Sequence, residues 1–167
     1  MPTGTLLPVA DHFTLDRIAV PSAAADKDAV LAELVALAMP NGPARVGLLA
    51  DVRKREAQFT TALGDGIALP HARSPHVETL QLSAMRLSVP VAFDAADGNP
   101  VSLVFLVASP SNAPGVHLDA LREFSQLFNN HELIAALKAA PDGATFLRLL
   151  QARAGPFSGA LTPGAIA

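Results

Sequence analysis

The most informative run for the architecture is Val101-Ser102-Leu103-Val104-Phe105-Leu106-Val107-Ala108-Ser109. It is almost wholly apolar, and several of its positions are β-branched or aromatic. These properties predict a central β-strand that is buried on both faces. A second strand is predicted over Gln81–Val89, where apolar and polar residues alternate imperfectly, and a short one over Ile67–Leu69.

Segments with helical spacing of apolar residues lie on both sides of these strands. One helix is predicted to start at Pro21-Ser22, and another covers Ala44–Gln58 with Val46, Leu49 and Val52 on one face. Three more follow the strands, with their apolar positions over 118–128, 131–140 and 144–153. The alternation predicts an α/β domain whose mixed, mostly parallel β-sheet is sandwiched between layers of α-helices.

Length and composition set the domain organisation that we expect. The 167 residues suit one domain, and 50% hydrophobic with 16% charged residues is a globular composition. We expect a single domain over residues 1–154. Residues 155–167 are small, contain glycine and proline and lack periodicity, so they are expected to form a flexible C-terminal tail.

Composition also argues against several classes of function. The net charge of -3 and the absence of tryptophan and tyrosine argue against a nucleic-acid partner. The absence of cysteine excludes a disulfide scaffold and a thiolate metal site, and it is compatible with a cytoplasmic location. We found neither a signal peptide nor a run of membrane-spanning length, so a cytoplasmic protein without membrane insertion is expected.

A candidate for chemistry lies in residues 64–73, Gly-Asp-Gly-Ile-Ala-Leu-Pro-His-Ala-Arg. The glycines allow unusual backbone angles, and Pro70 fixes one dihedral angle. Together they can hold the His71 imidazole at the end of a strand, where it can act as a nucleophile or as a general base. These residue types are also ordinary turn formers, so a purely structural role for His71 stays open at this point.

Three separated segments carry a family resemblance. Arg55-Glu56, Thr60 and Gly64–His71 resemble the active-site motif of enzyme IIA domains of the fructose–mannitol class, which belong to the phosphoenolpyruvate-dependent sugar phosphotransferase system. The segment Pro90–Val101 is similar to the middle segment of that family, and His117–Leu121 is similar to its second histidine motif. This class includes the nitrogen-regulatory IIA proteins, and the resemblance covers roughly residues 8–150.

The resemblance implies three site residues. His71 would accept a phosphoryl group, His117 would lie beside it and hydrogen-bond the phosphoryl group or the ring, and Arg55 would approach the phosphoryl oxygens. The donor would be phospho-HPr or an HPr-like protein. The recipient would be a IIB component, or a regulatory target protein would respond to the phosphorylated state. The scheme needs no cofactor and no metal, and the histidines at positions 12, 76 and 131 are taken as structural.

Asp65 departs from the family, which usually has asparagine there. Its charge could repel an incoming phosphoryl group, or the side chain could point away and only shape the turn. A transport carrier and a regulatory carrier are therefore both open, and the segment Phe93–Val101 favours the nitrogen-regulatory branch. The alternative is a IIA-like regulatory binding protein that is never phosphorylated. A further alternative is an unrelated hydrolase with His71 as its base. The sequence argues against it because it contains no nucleophile elbow.

Overall fold

A computed structural model describes residues 8–40 and 42–153, so the predicted C-terminal tail lies outside the described residues. Two short 3₁₀ turns, Val9–His12 and Leu15–Arg17, precede the first strand. The strands are β1 (Ile18–Ser22), β2 (Ala62–Gly64), β3 (Ile67–Ala68), β4 (His71–Ser74), β5 (Gln81–Val91) and β6 (Val101–Pro110). The helices are α1 (Lys27–Ala38), α2 (Ala44–Gln58), α3 (Pro114–Phe128), α4 (His131–Ala139) and α5 (Gly143–Arg153).

The six described strands form one sheet in the order β1-β5-β6-β3-β2, and β4 pairs with β6 beyond the end of β3. β1 is parallel to β5, and both β3 and β4 are parallel to β6, whereas β5 and β6 are antiparallel. The predicted mixed sheet between helical layers is confirmed. β6 has strands on both sides and, apart from Ser102, is buried throughout, which confirms the prediction made for residues 101–109.

The side chains of β6 alternate between two hydrophobic cores. Leu103, Phe105 and Val107 face the core that includes residues of α3, α4 and α5. Val104, Leu106 and Ala108 face the core that includes residues of α1 and α2. This alternation follows from the two-residue period of a strand. Because both faces are covered by apolar helix surfaces, the strand needs apolar residues at every position, and its sequence has almost no polar ones.

The prediction that a helix starts at Pro21-Ser22 is wrong. Those residues belong to β1, and the helix begins at Lys27. Asp26 is the N-cap, and its side chain accepts a hydrogen bond from the Ala29 amide at 2.7 Å. β1 pairs with β5 alone and is an edge strand, where a proline is tolerated because one side of the strand needs no amide donor.

α2 has the predicted bounds, and of the predicted face Val52 is buried and Leu49 is half-buried against the core, but Val46 is not part of it. Leu48, Val52 and Glu56, which are spaced by four residues, are buried, whereas Val46 is 72% exposed. The Glu56 carboxylate is stabilised in its buried position because it accepts hydrogen bonds from the amide and the hydroxyl of Thr61, at 3.0 and 2.6 Å. It also pairs with the Lys27 ammonium at 2.9 Å. A face that includes a buried carboxylate cannot be recognised from hydrophobic periodicity.

Asp65 lies in the tight turn between β2 and β3. Gly64 pairs with Ile67, so the loop has two residues, and both have positive φ, 57° for Asp65 and 76° for Gly66. These angles are those of a type I′ turn, for which Asp-Gly and Asn-Gly are preferred sequences. The Asp65 amide donates to the Asp97 carboxylate at 3.0 Å, which holds the turn against the loop before β6.

Substitutions of Asp65 will therefore act on stability. We expect Asp65→Val to lower the free energy of unfolding by about 1–3 kcal/mol, because a β-branched residue is strained at positive φ. Asp65→Asn keeps the turn preference and should change it by less than about 0.5 kcal/mol. Urea unfolding of the two variants beside the wild-type protein measures both effects, and equal stability of the two variants would contradict this account.

None of the described helices is long and apolar enough to cross a membrane.

Candidate functional site

His71 is the first residue of β4 and lies opposite Val107 of β6. Its Nδ1 lies 2.8 Å from the carbonyl oxygen of Leu69, two residues earlier. A carbonyl oxygen can only accept a hydrogen bond, so Nδ1 carries the proton and Nε2 of the neutral ring holds the lone pair. Nε2 has no hydrogen bond within the described residues. The backbone before Pro70 thus selects which nitrogen of His71 can attack an electrophile.

His117 lies in the first turn of α3, and its ring centroid is 5.5 Å from that of His71. Only three residues separate the end of β6 from α3, so the helix begins at the carboxyl end of β6. β4 runs parallel to β6 along the same stretch, which brings the two rings together. Nδ1 of His117 lies 2.8 Å from the Oγ atom of Ser109, a fully buried residue of β6.

The charges of two arginines act on the pair of histidines. Arg55 lies in the last turn of α2, and its Nη1 donates to the Phe59 carbonyl at 2.9 Å. Its positive charge is one of the causes that lower the pKa of both histidines. Arg73 follows His71 by two residues in β4, so both side chains project from the same face of the strand. Its charge also lowers the pKa of His117.

Burial is the main cause of the pKa shifts of both rings. It lowers the pKa of His71, and Arg55 adds to this, whereas the Leu69 carbonyl and Glu56 act in the opposite direction. For His117, burial, then the charge of His71 and then those of Arg73 and Arg55 lower the pKa from 6.5 to about 4. Both rings are therefore neutral near pH 7, the state in which His71 can act as a nucleophile.

The low pKa of His117 has a measurable consequence. We expect an NMR titration of the His117 ring to give a midpoint near 4 instead of 6.5. Between these values the unfolded chain binds a proton that the folded chain does not bind, so His117 makes the protein less stable as the pH falls from 6.5 to about 4. Above pH 6.5 the ring is neutral in both states and has no such effect.

Urea unfolding of the wild-type protein and of His117→Gln checks the linkage, because the variant has no titrating group at this position. The stability of the wild-type protein relative to the variant should decrease between pH 7 and about pH 4. A relative stability that does not change with pH, or an NMR midpoint at or above 6.5, would contradict the proposed environment of the ring.

Of the three residues selected from the sequence, His71 and His117 have adjacent rings, and the charge of Arg55 lowers the pKa of both. The other histidines lie elsewhere. His76 packs its ring on the α2 backbone, where a Cβ at Gly47 would overlap it, His12 is in the first 3₁₀ turn and His131 begins α4.

Sequence reasoning missed Ser109 completely and could not place the side chain of Arg73. The spacing of two residues within a strand could have placed Arg73 beside His71. No local signal marks Ser109, because its contact with His117 depends on how α3 packs against β6.

Asp65 is remote from this cluster. Ile67, the first residue after the turn, lies opposite Leu103 of β6. His71 lies opposite Val107, four residues further along the same strand. Four residues of an extended strand span roughly 13 Å, so the turn and His71 are separated by about this distance along β6. Of the two possibilities raised by the sequence, the structure supports a role for Asp65 in shaping the turn.

Comparison with known proteins identifies the family. Residues 11–153 match the family described as "Phosphoenolpyruvate-dependent sugar phosphotransferase system, EIIA 2". The chain belongs to this EIIA family. The resemblance found in the sequence motifs is thereby confirmed, and the two histidines and Arg55 lie within the matched residues.

Individual EIIA relatives agree with this assignment. The chain is 31% identical over 145 residues to a nitrogen regulatory protein of Bradyrhizobium diazoefficiens, covering 86% of this chain and 95% of that protein. It superimposes on nitrogen regulatory protein IIA-Ntr from Neisseria meningitidis with a TM-score of 0.78 and 27% identity, over 85% of this chain and 98% of that one. The IIA subunit in a complex of IIA mannitol and phosphorylated IIB mannitol from Escherichia coli shares the fold. Its TM-score is 0.72 at 19% identity, with 84% of this chain and 98% of that chain covered.

Proposed function

We propose that this EIIA protein is a phosphoryl carrier in which Nε2 of His71 accepts the phosphoryl group. The observation that carries the proposal is the hydrogen bond between Nδ1 and the Leu69 carbonyl, because it leaves the lone pair on Nε2. The donor is a phosphohistidine of HPr or of an HPr-like protein. As the N–P bond of the donor breaks, a new N–P bond forms at Nε2 and the donor nitrogen keeps the electron pair.

The groups around His71 fit the charge that must be stabilised. Arg55 presents a planar guanidinium that suits phosphate oxygens, and Arg73 adds a second positive charge on the face of β4 that carries His71. His117 is neutral, so it can donate a hydrogen bond without adding a full charge. A carrier must release the group again, and one neutral donor among the cations keeps retention moderate.

The relatives favour a regulatory carrier over a transport component. The nitrogen regulatory proteins of Bradyrhizobium diazoefficiens and Neisseria meningitidis match over 95% and 98% of their length, whereas the similarity to IIA mannitol at 19% identity concerns the fold alone. We therefore propose that phosphorylation of His71 in the cytoplasm changes which target protein is bound. Transfer to a IIB component is the second possibility, since a structural neighbour is a complex with phosphorylated IIB.

The placement of Asp65 bears on the alternative of a binding protein that is never phosphorylated. That alternative depended on repulsion between the Asp65 carboxylate and an incoming phosphoryl group. The residue instead has the φ of 57° that its turn requires, and Ile67, which follows the turn, lies opposite a β6 residue four positions before the one opposite His71. This geometry supports phosphorylation of His71.

Intact-mass spectrometry tests the proposal. The protein is incubated with phosphoenolpyruvate, enzyme I and HPr or an HPr-like protein, after the donor has been shown to phosphorylate another type 2 EIIA. We expect the gain of one acid-labile phosphoryl group, attached at Nε2 when examined by ¹⁵N NMR. No gain from either active donor, or attachment at Nδ1, would overturn the proposal.

A further inference from the structure

We propose that Ser109 is a positioning residue that holds His117 in the tautomer with the proton on Nε2. The two atoms involved are Oγ of Ser109 and Nδ1 of His117, which lie 2.8 Å apart. The consequence for phosphoryl transfer rests on the proposed function, whereas the tautomer itself does not.

The location of Ser109 restricts what its hydroxyl can do. The residue is fully buried and lies opposite Arg73 at the end of β6, two residues after Val107, so its side chain points to the same face of the sheet as Val107. That face is covered by α3, the helix that carries His117. A buried hydroxyl needs a hydrogen-bond partner. Within the described residues, the partner of the Ser109 hydroxyl is Nδ1 of His117.

Hydrogen-bond accounting selects the direction of this bond. If the Ser109 hydroxyl donates to Nδ1, its hydrogen is satisfied and the neutral His117 ring carries its own proton on Nε2. If Nδ1 donates instead, the hydroxyl hydrogen has no acceptor among the described residues, and a buried unsatisfied donor is costly. The low pKa of His117 keeps the ring neutral near pH 7, so the ring has the one lone pair that this bond requires.

The two histidines then have complementary tautomers. His71 has its proton on Nδ1 and a lone pair on Nε2, and His117 has a lone pair on Nδ1 and its proton on Nε2. With ring centroids 5.5 Å apart, one ring offers the nucleophile and the other offers a donor for a phosphoryl oxygen. Each tautomer is set by one hydrogen bond on the Nδ1 side of its ring.

The experiment uses ¹⁵N NMR of the unphosphorylated protein, which reports the protonation of each ring nitrogen directly. We expect His117 of the wild-type protein to show a protonated Nε2 and an unprotonated, hydrogen-bonded Nδ1. In Ser109→Ala the Nδ1 signal should move because its donor is gone, and Ser109→Thr should restore it since the hydroxyl is retained. Ser83→Ala is the matched control, because Ser83 is also fully buried in a strand but donates to the Leu34 carbonyl.

The rate of phosphoryl uptake provides the second measurement. Ser109→Ala should be about tenfold slower than the wild-type protein, the effect of one neutral hydrogen bond, whereas Ser83→Ala should be unchanged. A proton on Nδ1 of His117 in the wild-type protein, or Nδ1 and Nε2 signals that Ser109→Ala leaves unmoved, would overturn the proposal. If the wild-type protein takes up no phosphoryl group, the proposed function fails while the NMR result still decides the role of Ser109.

Discussion

A His71→Gln variant will show no phosphoryl gain under conditions that fully phosphorylate the wild-type protein. Glutamine keeps a polar side chain of similar reach, but its amide nitrogen has no nucleophilic lone pair. Removal of the attacking group should lower the rate by about 10⁴-fold or more, to background. Intact-mass spectrometry over a time course measures the loss.

His76→Gln is the matched control for this variant. His76 is an exposed histidine five residues further along the chain, and its ring packs on α2 rather than in the site. We expect it to be phosphorylated at the wild-type rate. Uptake by His71→Gln at the wild-type rate would show that the phosphoryl group is carried elsewhere and would overturn the assignment of His71.

Arg55→Gln will slow phosphoryl uptake by about 100-fold or more, because a preorganised cation that stabilises transferring phosphoryl oxygens contributes on this scale. The charge of Arg55 lowers the pKa of both histidines, and its guanidinium donates a hydrogen bond to the Phe59 carbonyl. Arg55→Lys should recover part of the rate, because it restores the charge without the planar pair of donors. Rates come from the same mass-spectrometric time course.

Arg53→Gln controls for the loss of a cation from α2. Arg53 lies two residues earlier on the same helix and forms an exposed ion pair with Asp28. A surface pair of this kind contributes little to stability, so this variant should fold and react like the wild-type protein. Equal rates of phosphoryl uptake by Arg55→Gln and Arg53→Gln would show that Arg55 does not take part in the transfer.

Much of the fold follows from local sequence patterns. The continuous apolar run at 101–109 marks the central strand, because only a strand covered on both faces needs apolar residues at every position. α2 has the predicted bounds because turn-forming residues precede it and the apolar residues within it recur at helical spacing. β1 was missed, since a five-residue edge strand with a proline has no clear alternation and depends on pairing with β5.

The candidate site was defined partly by sequence motifs and partly by the tertiary structure. His71, His117 and Arg55 were selected by their motifs, and the tertiary structure shows that the two histidine rings are adjacent. Ser109 and the choice of tautomer in each ring could not be predicted, because residues in different elements become neighbours through strand register and helix packing. Local periodicity specifies which face of an element is buried, but it does not specify which residues of another element lie against that face.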